Sequence, residues 1–487
     1  MPSYHLVTFG CQMNQHDSDR IGEVLHRAGY EPRDRPEDAD LVLLNTCSVR
    51  EKAEQKLRSE VGRLALLKRS RPDLVIAVAG CVAQQEGERL LRRMPEIDLI
   101  VGPDRILDLP EALSEIETGG LPAVRTGFDV DAPRFLEARP EPNGVRPSAF
   151  VTVMKGCNER CSFCIVPYTR GPERYRPAAA IVDEVERLVS LGVREVTLLG
   201  QTVNSYRDPE RSLEGSPEEG EPWQHTRKER ARDDESEFSA LLRRIVARVP
   251  GLQRLRYTSP HPRHLTRSLI RAHAELAPLA RHVHLPVQSG SDRVLRRMIR
   301  RYSVAEYVER VEALRRAVPG ITISTDVIVG FPGETESDFE ATLALVRQVE
   351  FCGLFGFKYS PRPFTPALRL GDDVPEEEKS ERLARLFEVA EQLKREQLNR
   401  RVGSIESVLV EGTGKRGEFT GRTERNEIVH FESPRVDPTG HIVPVRIEQA
   451  FNNSLFGVLV DERGLPPRST PKPNEERPRR GLPLVAG

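Results

Sequence analysis

Over residues 3–119, short apolar runs alternate with segments whose apolar positions recur every three or four residues, the pattern of an open parallel α/β sheet. His5–Phe9, Asp40–Leu44 and Leu74–Ala79 read as strands, and Asp19–Ala28 and Glu51–Lys68 as amphipathic helices between them. A proline-dotted stretch, Pro133–Pro147, reads as a linker. Across residues 143–396 the alternation resumes with a longer count. Phe150–Met154, Glu195–Leu199, Arg254–Thr258, His282–Val287, Thr322–Val329 and Leu354–Tyr359 are its apolar runs. Helical patterns such as Val182–Leu191, Phe238–Val249 and Val304–Ala317 separate most of them. Six β-α units in series predict a partial (β/α)6 barrel, whose strand C-termini form the face where such folds place their sites. A charged helix over Glu376–Arg401 leads into residues 399–462, where the pattern changes to short β segments. These are Ile405–Val410, Glu418–Thr423, Asn426–His430, His441–Ile447 and Leu455–Leu459; with Gly and Pro between them they predict a small antiparallel β-barrel. The chain is therefore α/β, in three parts.

Two stretches carry no such pattern. Asp208–Glu237, rich in acidic side chains and with Trp223 its one aromatic, reads as a solvated surface insertion in the central part. Residues 463–487 are proline-rich and poor in apolar groups, which predicts a disordered tail. The 487 residues are 38% hydrophobic and 30% charged, enough apolar content for ordinary cores. Lys+Arg 73 against Asp+Glu 74 leaves a net charge of −1, which excludes a bulk-basic, histone-like binder and leaves room for a local basic face. No apolar run reaches the roughly 18 residues of a membrane span. The opening Met1-Pro-Ser-Tyr-His lacks the charged and apolar regions of a signal peptide. A cytoplasmic protein without membrane contact is expected.

Seven cysteines, an odd number in a reducing compartment, argue against a disulfide framework and raise the question of what they bind. Cys157-Asn-Glu-Arg-Cys161-Ser-Phe-Cys164 directly follows the first central strand. A [4Fe–4S] cluster normally takes four cysteines, so three on one loop leave an iron open to a small molecule. A zinc knuckle completed by a remote ligand is the alternative. Cys11, Cys47 and Cys81 each follow a strand of the N-terminal sheet, in Phe9-Gly-Cys11, Asn45-Thr-Cys47 and Ala79-Gly-Cys81. Equivalent positions after successive parallel strands meet at the carboxyl edge, so these thiols are expected as neighbours; isolated buried thiols are the alternative. Gly10 and Gly80 allow the close approach that a cluster needs. Cys352, beside Phe351, Leu354 and Phe355, reads as a buried core thiol.

The Cys157–Cys164 motif and its continuation Ile165-Val-Pro-Tyr-Thr-Arg-Gly171 resemble the signature of the radical S-adenosylmethionine (SAM) methylthiotransferase family. The N-terminal three-cysteine part and the C-terminal β module resemble that family's other two domains, the latter a TRAM domain. The likeness spans residues 3–462. Gly10–Asn14, Asn45–Lys52, Gly80–Gln85, Leu285–Asp292 and Gly330–Thr335 resemble the branch that modifies prenylated adenosine in tRNA. Two departures stand out. Thr202 occupies a position in Gln201-Thr-Val-Asn204 where the family usually has Asn, and Asp326–Gly330 meets only part of the pattern around the SAM adenine.

The resemblance implies two [4Fe–4S] clusters and SAM. One cluster, on Cys157, Cys161 and Cys164, would bind SAM and generate a 5′-deoxyadenosyl radical; the other, on Cys11, Cys47 and Cys81, would carry the sulfur. Each set is expected to close its own site within its own domain. Carbon 2 of adenine bears an inert C–H bond that acid–base groups cannot break, and cofactors carry such radical chemistry, so no catalytic side chain beyond the ligands is implied. The implied reaction is methylthiolation of carbon 2 of N6-dimethylallyladenosine at tRNA position 37, next to the anticodon. Threonylcarbamoyl-adenosine or a ribosomal-protein aspartate are alternative substrates, and a metal-structured RNA-binding protein is the non-catalytic alternative. SAM contacts are implied at Gly200, Gln201, Gln288, Ser289 and Gly330. The implied partners are the tRNA anticodon stem-loop, an electron donor such as flavodoxin or ferredoxin, and iron–sulfur assembly machinery, for a monomeric enzyme. RNA contacts are expected on the C-terminal module at Arg416, Phe419, Arg422, Arg425 and Asn426, with the target base splayed from its stack.

Overall fold

The computed structural model describes residues 1–48, 51–120, 122–138, 146–210, 236–414 and 416–468. The first sheet contains β1 (Ser3–Phe9), β2 (Glu31–Pro32), β3 (Leu41–Thr46), β4 (Val75–Gly80), β5 (Leu99–Val101) and β6 (Ala123–Arg125). All pairs run parallel, in the order β2-β1-β3-β4-β5-β6. The helices are α1 (Gln12–Arg27), α2 (Glu51–Ser70), α3 (Cys81–Glu86), α4 (Glu88–Arg93) and α5 (Leu109–Glu117). The central strands are apolar on both faces because helices cover both. Leu41, Leu43, Ala77 and Ala79 pack toward Ile21 and Leu25 of α1, while Val42, Leu44, Ile76 and Val78 pack toward Leu57 and Leu64 of α2. Helix α1 begins earlier than its apolar periodicity indicates. Its first turns carry Asn14, His16, Asp17 and Ser18, which are polar yet buried.

The central part starts with β7 (Ser148–Thr152), followed by a short antiparallel ribbon of β8 (Met154–Lys155) and β9 (Arg174–Tyr175) that encloses α6 (Val166–Arg170). After α7 (Ala178–Ser190) come β10 (Glu195–Leu199), β11 (Arg254–Tyr257), β12 (His282–His284), β13 (Thr322–Val329) and β14 (Gly353–Lys358). They form two parallel three-stranded sheets, β11-β10-β7 and β12-β13-β14, bridged at Leu255–Leu279. Among the described residues nothing pairs β14 with β7, so the barrel is open. Strand β12 is shorter than the apolar run His282–Val287, since Pro286 offers no N–H to the ladder and Gln288 turns with φ +72°.

The C-terminal module is a closed barrel of β15 (Ile405–Thr413), β16 (Phe419–Thr423), β17 (Ile428–Glu432), β18 (Ile442–Ala450) and β19 (Leu455–Leu459), in the order β15-β16-β17-β19-β18. It fits the expected small β-barrel, antiparallel at four of its five pairs, while β17 and β19 pair parallel. Parity requires this: five strands cannot alternate direction all the way round a closed ring.

The irregular stretches differ from their sequence readings too. Residues 133–138 of the expected linker are built into the fold. Arg134 pairs with Asp108 and Asp129, Leu136 is buried, and Ala138 N donates to the Glu184 carboxylate. Residues 463–468 of the expected disordered tail dock on the barrel, where Arg468 donates to Ser433 O and lies over the Phe419 ring. Residues 139–145, the rest of the tail and 211–235 of the acidic insertion lie outside the described residues. The insertion's two ends meet, with Asp208 N donating to Glu237 Oε2 at 2.6 Å. Among the described residues no helix is long and apolar enough to cross a membrane.

Candidate functional site

Three parallel strands deliver the first cysteine set to one sheet edge. Cys11 N-caps α1 after β1, Cys47 follows β3, and Cys81 opens α3 after β4. The turns are crowded enough to require glycine. A Cβ on Gly10 would sit 2.7 Å from Cys47 Cβ, and one on Gly80, at φ +92°, would sit 2.4 Å from Asn45 Oδ1. Asn45 donates to Asn14 O at 2.8 Å and Ser18 Oγ at 2.9 Å, while Cys11 N and Sγ both point to Asn14 Oδ1, at 3.3 and 3.4 Å. A hydrogen bond with Cys47 lowers the Cys11 thiol to about 6 against the opposing effect of burial, helped by Asn14 and the Arg170 charge. Burial raises Cys81.

The site is not closed by its own domain, contrary to expectation. Arg170, at the end of α6 in the central part, donates Nε–H to Cys81 Sγ at 3.3 Å and pairs through Nη2 with Asp17 Oδ2 of α1 at 2.6 Å. Helix α6 packs on α3. Nearby, Arg174 and Lys155 of the central ribbon both pair with Asp104, and His16 Nε2 meets Thr152 Oγ1 at 3.3 Å.

The second set lies on the loop after β8, tied down at several points. Gly156 (φ +78°) admits no side chain, since a Cβ would fall 1.9 Å from Pro172 O, and Cys157 N donates to Gly171 O. Ser162 N and Oγ donate to Met298 O and Arg297 O. Two donors face the sulfurs. Arg300 Nη1 lies 3.3 Å from Cys161 Sγ, and the Thr202 hydroxyl 3.0 Å from Cys157 Sγ. Burial pushes Cys157 up to about 12 and raises Cys164, which also feels Cys161 and Cys157. Cys352 is only partly buried as a residue, but enclosure of its thiol pushes it up to about 12.

Within that loop, Glu159 forms a buried cluster with His261 and His264 that sequence reasoning missed. Its Oε1 meets His264 Nε2 at 2.6 Å, and its Oε2 lies 3.9 Å from His261 Nε2. Burial would raise this carboxyl, yet the His264 bond and the positive groups around it, Arg263 among them, hold it well below the usual range. One ligand atom from each residue lies within 4.8 Å of the others, a spacing compatible with a cation. However, Arg263 N donates to His261 Nδ1, leaving the imidazole proton on Nε2, the atom that would have to ligate. The cluster is an anchor for the cysteine loop.

The five positions implied for SAM are distributed around the same face. Gly200 is packed on Met154, where a Cβ would come within 2.6 Å of Cγ. The Gln201 amide has its oxygen and nitrogen buried without a hydrogen-bond partner. Gln288 is buried at φ +72°. Ser289 Oγ faces Thr342 and accepts from Ser291 N, and Gly330 N donates to Glu334 Oε2 at 2.6 Å.

The expected RNA-contacting residues need correction. Phe419 belongs to the barrel core, stacked on Phe431. Arg425 is spent inside the chain, on Glu406 and Gly320 O, and Arg422 pairs with Glu411. Arg254 and Arg256 of β11 donate to the carbonyls of Arg422, Thr423 and Glu424. Arg254 opens β11, so this turn docks at the strand N-termini, away from the cysteine face.

Comparison with known proteins agrees with this architecture. Residues 3–102 match a family described as "Uncharacterized protein family UPF0004", residues 151–346 the radical SAM superfamily, and residues 399–460 the TRAM domain. The chain is 60% identical over 505 aligned positions to the tRNA-2-methylthio-N(6)-dimethylallyladenosine synthase of Sorangium cellulosum, covering 100% of this chain and 99% of that protein. Its identity to the Geobacter sulfurreducens enzyme of the same name is 46% over 462 positions, 94% of this chain and 98% of the relative. In fold it is similar to the radical S-adenosylmethionine methyltransferase TsrM of Kitasatospora setae, with a TM-score of 0.50 and 14% identity over 86% of this chain and 84% of that one.

Proposed function

The chain belongs to the radical SAM methylthiotransferase family, and from that premise we propose that it methylthiolates carbon 2 of N6-dimethylallyladenosine at position 37 of tRNA. Membership brings a [4Fe–4S] cluster and SAM; the assignment of two clusters is part of this reading. Cys157, Cys161 and Cys164 would hold one, and Cys11, Cys47 and Cys81 the other, which bears the sulfur. When bound, the first supplies the electron that cleaves SAM to a carbon radical, the species able to take hydrogen from carbon 2.

The chain's own residues position and shield this chemistry. Arg300 and Thr202 aim N–H and O–H groups at the sulfurs of Cys161 and Cys157, and Arg170 does so at Cys81; such donors stabilise anionic sulfur. Glu159 fixes the loop between two of its cysteines through His264. The open amide of Gln201 suits the polar head of SAM. Gly200, Gln288, Ser289 and Gly330 shape the surrounding backbone. The half-barrel walls exclude water, and the target base of the anticodon stem-loop leaves its stack to reach them. The domains run 3–119, 143–396 and 399–462, with RNA affinity assigned to the third. A flavodoxin- or ferredoxin-like donor, iron–sulfur assembly machinery, a monomeric state and a cytoplasmic setting complete the reading.

The observation that carries it is the placement of two three-cysteine sets, one at the carboxyl edge of the N-terminal parallel sheet and one on the loop after β8, with Arg170 of the central part reaching Cys81 of the first set. Mass spectrometry of tRNA nucleosides tests it. A deletion strain should accumulate prenylated adenosine lacking the methylthio group, and complementation should restore it. Unchanged methylthiolation in the deletion strain refutes the assignment.

A further inference from the structure

Phe364 is held where neither burial nor backbone preference would put it. It follows β14 at the C-terminal face of the half-barrel, in the stiff sequence Pro361-Arg-Pro-Phe-Thr-Pro366. Its φ is +68°, a conformation strained for a bulky residue, yet its side chain remains 53% exposed. The loop is fixed from beneath. Thr365 is buried and bonds Arg362 O, and Ala367 N donates to Ser162 O inside the second cysteine loop at 2.8 Å. The Phe364 ring lies 5.9 Å from that of Tyr168, itself 44% exposed and two residues before Arg170, at an interplanar angle of 36°. The Arg89 guanidinium of α4 sits 5.9 Å from the same ring. Two exposed rings and a cation therefore bridge the two cysteine-bearing parts at the rim of the site.

We infer that Phe364 and Tyr168 form a stacking ledge for an unpaired base flanking the reacting adenosine. This rests on the function proposed above and names a specificity-determining contact for it. An exposed aromatic face beside an arginine suits a nucleobase, whose stacking is tolerant of sequence and strengthened by a neighbouring cation. The ring stands at the rim, so it takes a base beside the target while the target passes deeper. The strained, proline-stiffened backbone pre-organises the ring before RNA arrives.

The test uses full-length holoenzyme and a prenylated anticodon stem-loop RNA, with turnover measured alongside RNA affinity by fluorescence anisotropy. Phe364→Leu and Phe364→Gly should each raise KM and Kd about tenfold, within the range set by loss of one stacked base, while kcat stays within about twofold. Phe364→Tyr should restore wild-type values, and Phe364→Gly should melt no lower than wild type because glycine tolerates the backbone. An abasic RNA at one flanking position should weaken wild-type binding by the same factor and bind Phe364→Leu no more weakly than intact RNA does. If Leu restores affinity, if every variant binds as wild type, or if the protein and RNA changes add, the ledge is refuted. Altered self-association with unchanged RNA affinity would make it a protein contact and also refute it. Absence of methylthio product from wild type overturns the proposed function instead, and the anisotropy still decides on the ledge.

Discussion

Arg170 is enclosed between a carboxylate and a thiol that belong to another part of the chain. Removing the carboxylate leaves a buried guanidinium without its hydrogen-bonded anion and with only the thiols of Cys11 and Cys81 beside it. Asp17→Asn should therefore cost about 3–5 kcal/mol in urea denaturation, the range for breaking a buried pair from one side. Burial alone would raise the Asp17 carboxyl, but Arg170 and His16 lower it to about 2 from an ordinary 3.8. A carboxyl depressed by folding stabilises the protein above its unfolded value, and that gain is lost as pH falls from about 4 toward 2. Over that window the variant should lose stability less steeply than wild type. The grouping of the cysteines into two sets and the glycines beside them were legible in the sequence, because one set lies in a single short motif and each member of the other directly follows a strand. Arg170, Arg300 and Glu159 were not, since their partners Cys81, Cys161 and His264 lie 89, 139 and 105 positions away. Phe419 was misread for a related reason: an aromatic beside arginines looks alike on a surface or in a core. Phe419→Ala should cost about 3–5 kcal/mol of stability, as for other core aromatics, and leave RNA affinity unchanged below the melting transition.

At the scale of elements, period-two and continuous apolar runs located most strands, because burial on one or both faces leaves that mark directly. Helix α1 escaped in its first turns, where Asn14, His16, Asp17 and Ser18 are buried to serve the site and so break the apolar stripe. The parallel β17–β19 pair left no local signature; it follows from ring closure. The barrel turn at 422–425 was also illegible as a dock, since its backbone carbonyls supply the contacts. Truncation after Arg401 should therefore do more than weaken RNA binding. It strips the carbonyl acceptors from Arg254 and Arg256 and uncovers their guanidiniums, which keep Glu195 but lose the docked barrel. The truncated protein should melt at lower temperature than the intact chain, and the intact chain's RNA affinity should fall steeply with salt as phosphate contacts release counterions. Equal melting temperatures would show that the dock is loose. Equal RNA affinity with and without the barrel would remove its assigned role.

At the scale of the whole molecule, two sheets present three thiols each at their carboxyl edges, and the central part reaches across through Arg170 to touch the N-terminal set. In the function proposed above, radical generation falls to Cys157, Cys161 and Cys164, and sulfur delivery to Cys11, Cys47 and Cys81. Arg170 keeps Asp17 when Cys81 is lost, so the fold should survive removal of the N-terminal thiols. The decisive measurement is made on the triple variant Cys11→Ala, Cys47→Ala, Cys81→Ala, reconstituted anaerobically with iron and sulfide. Its iron and sulfide content, 5′-deoxyadenosine and methylthiolated RNA are then quantified. One cluster's complement of iron, continued SAM cleavage and no methylthiolated product are expected. Methylthiolated product from this variant, or loss of SAM cleavage together with both clusters, would contradict this division of roles.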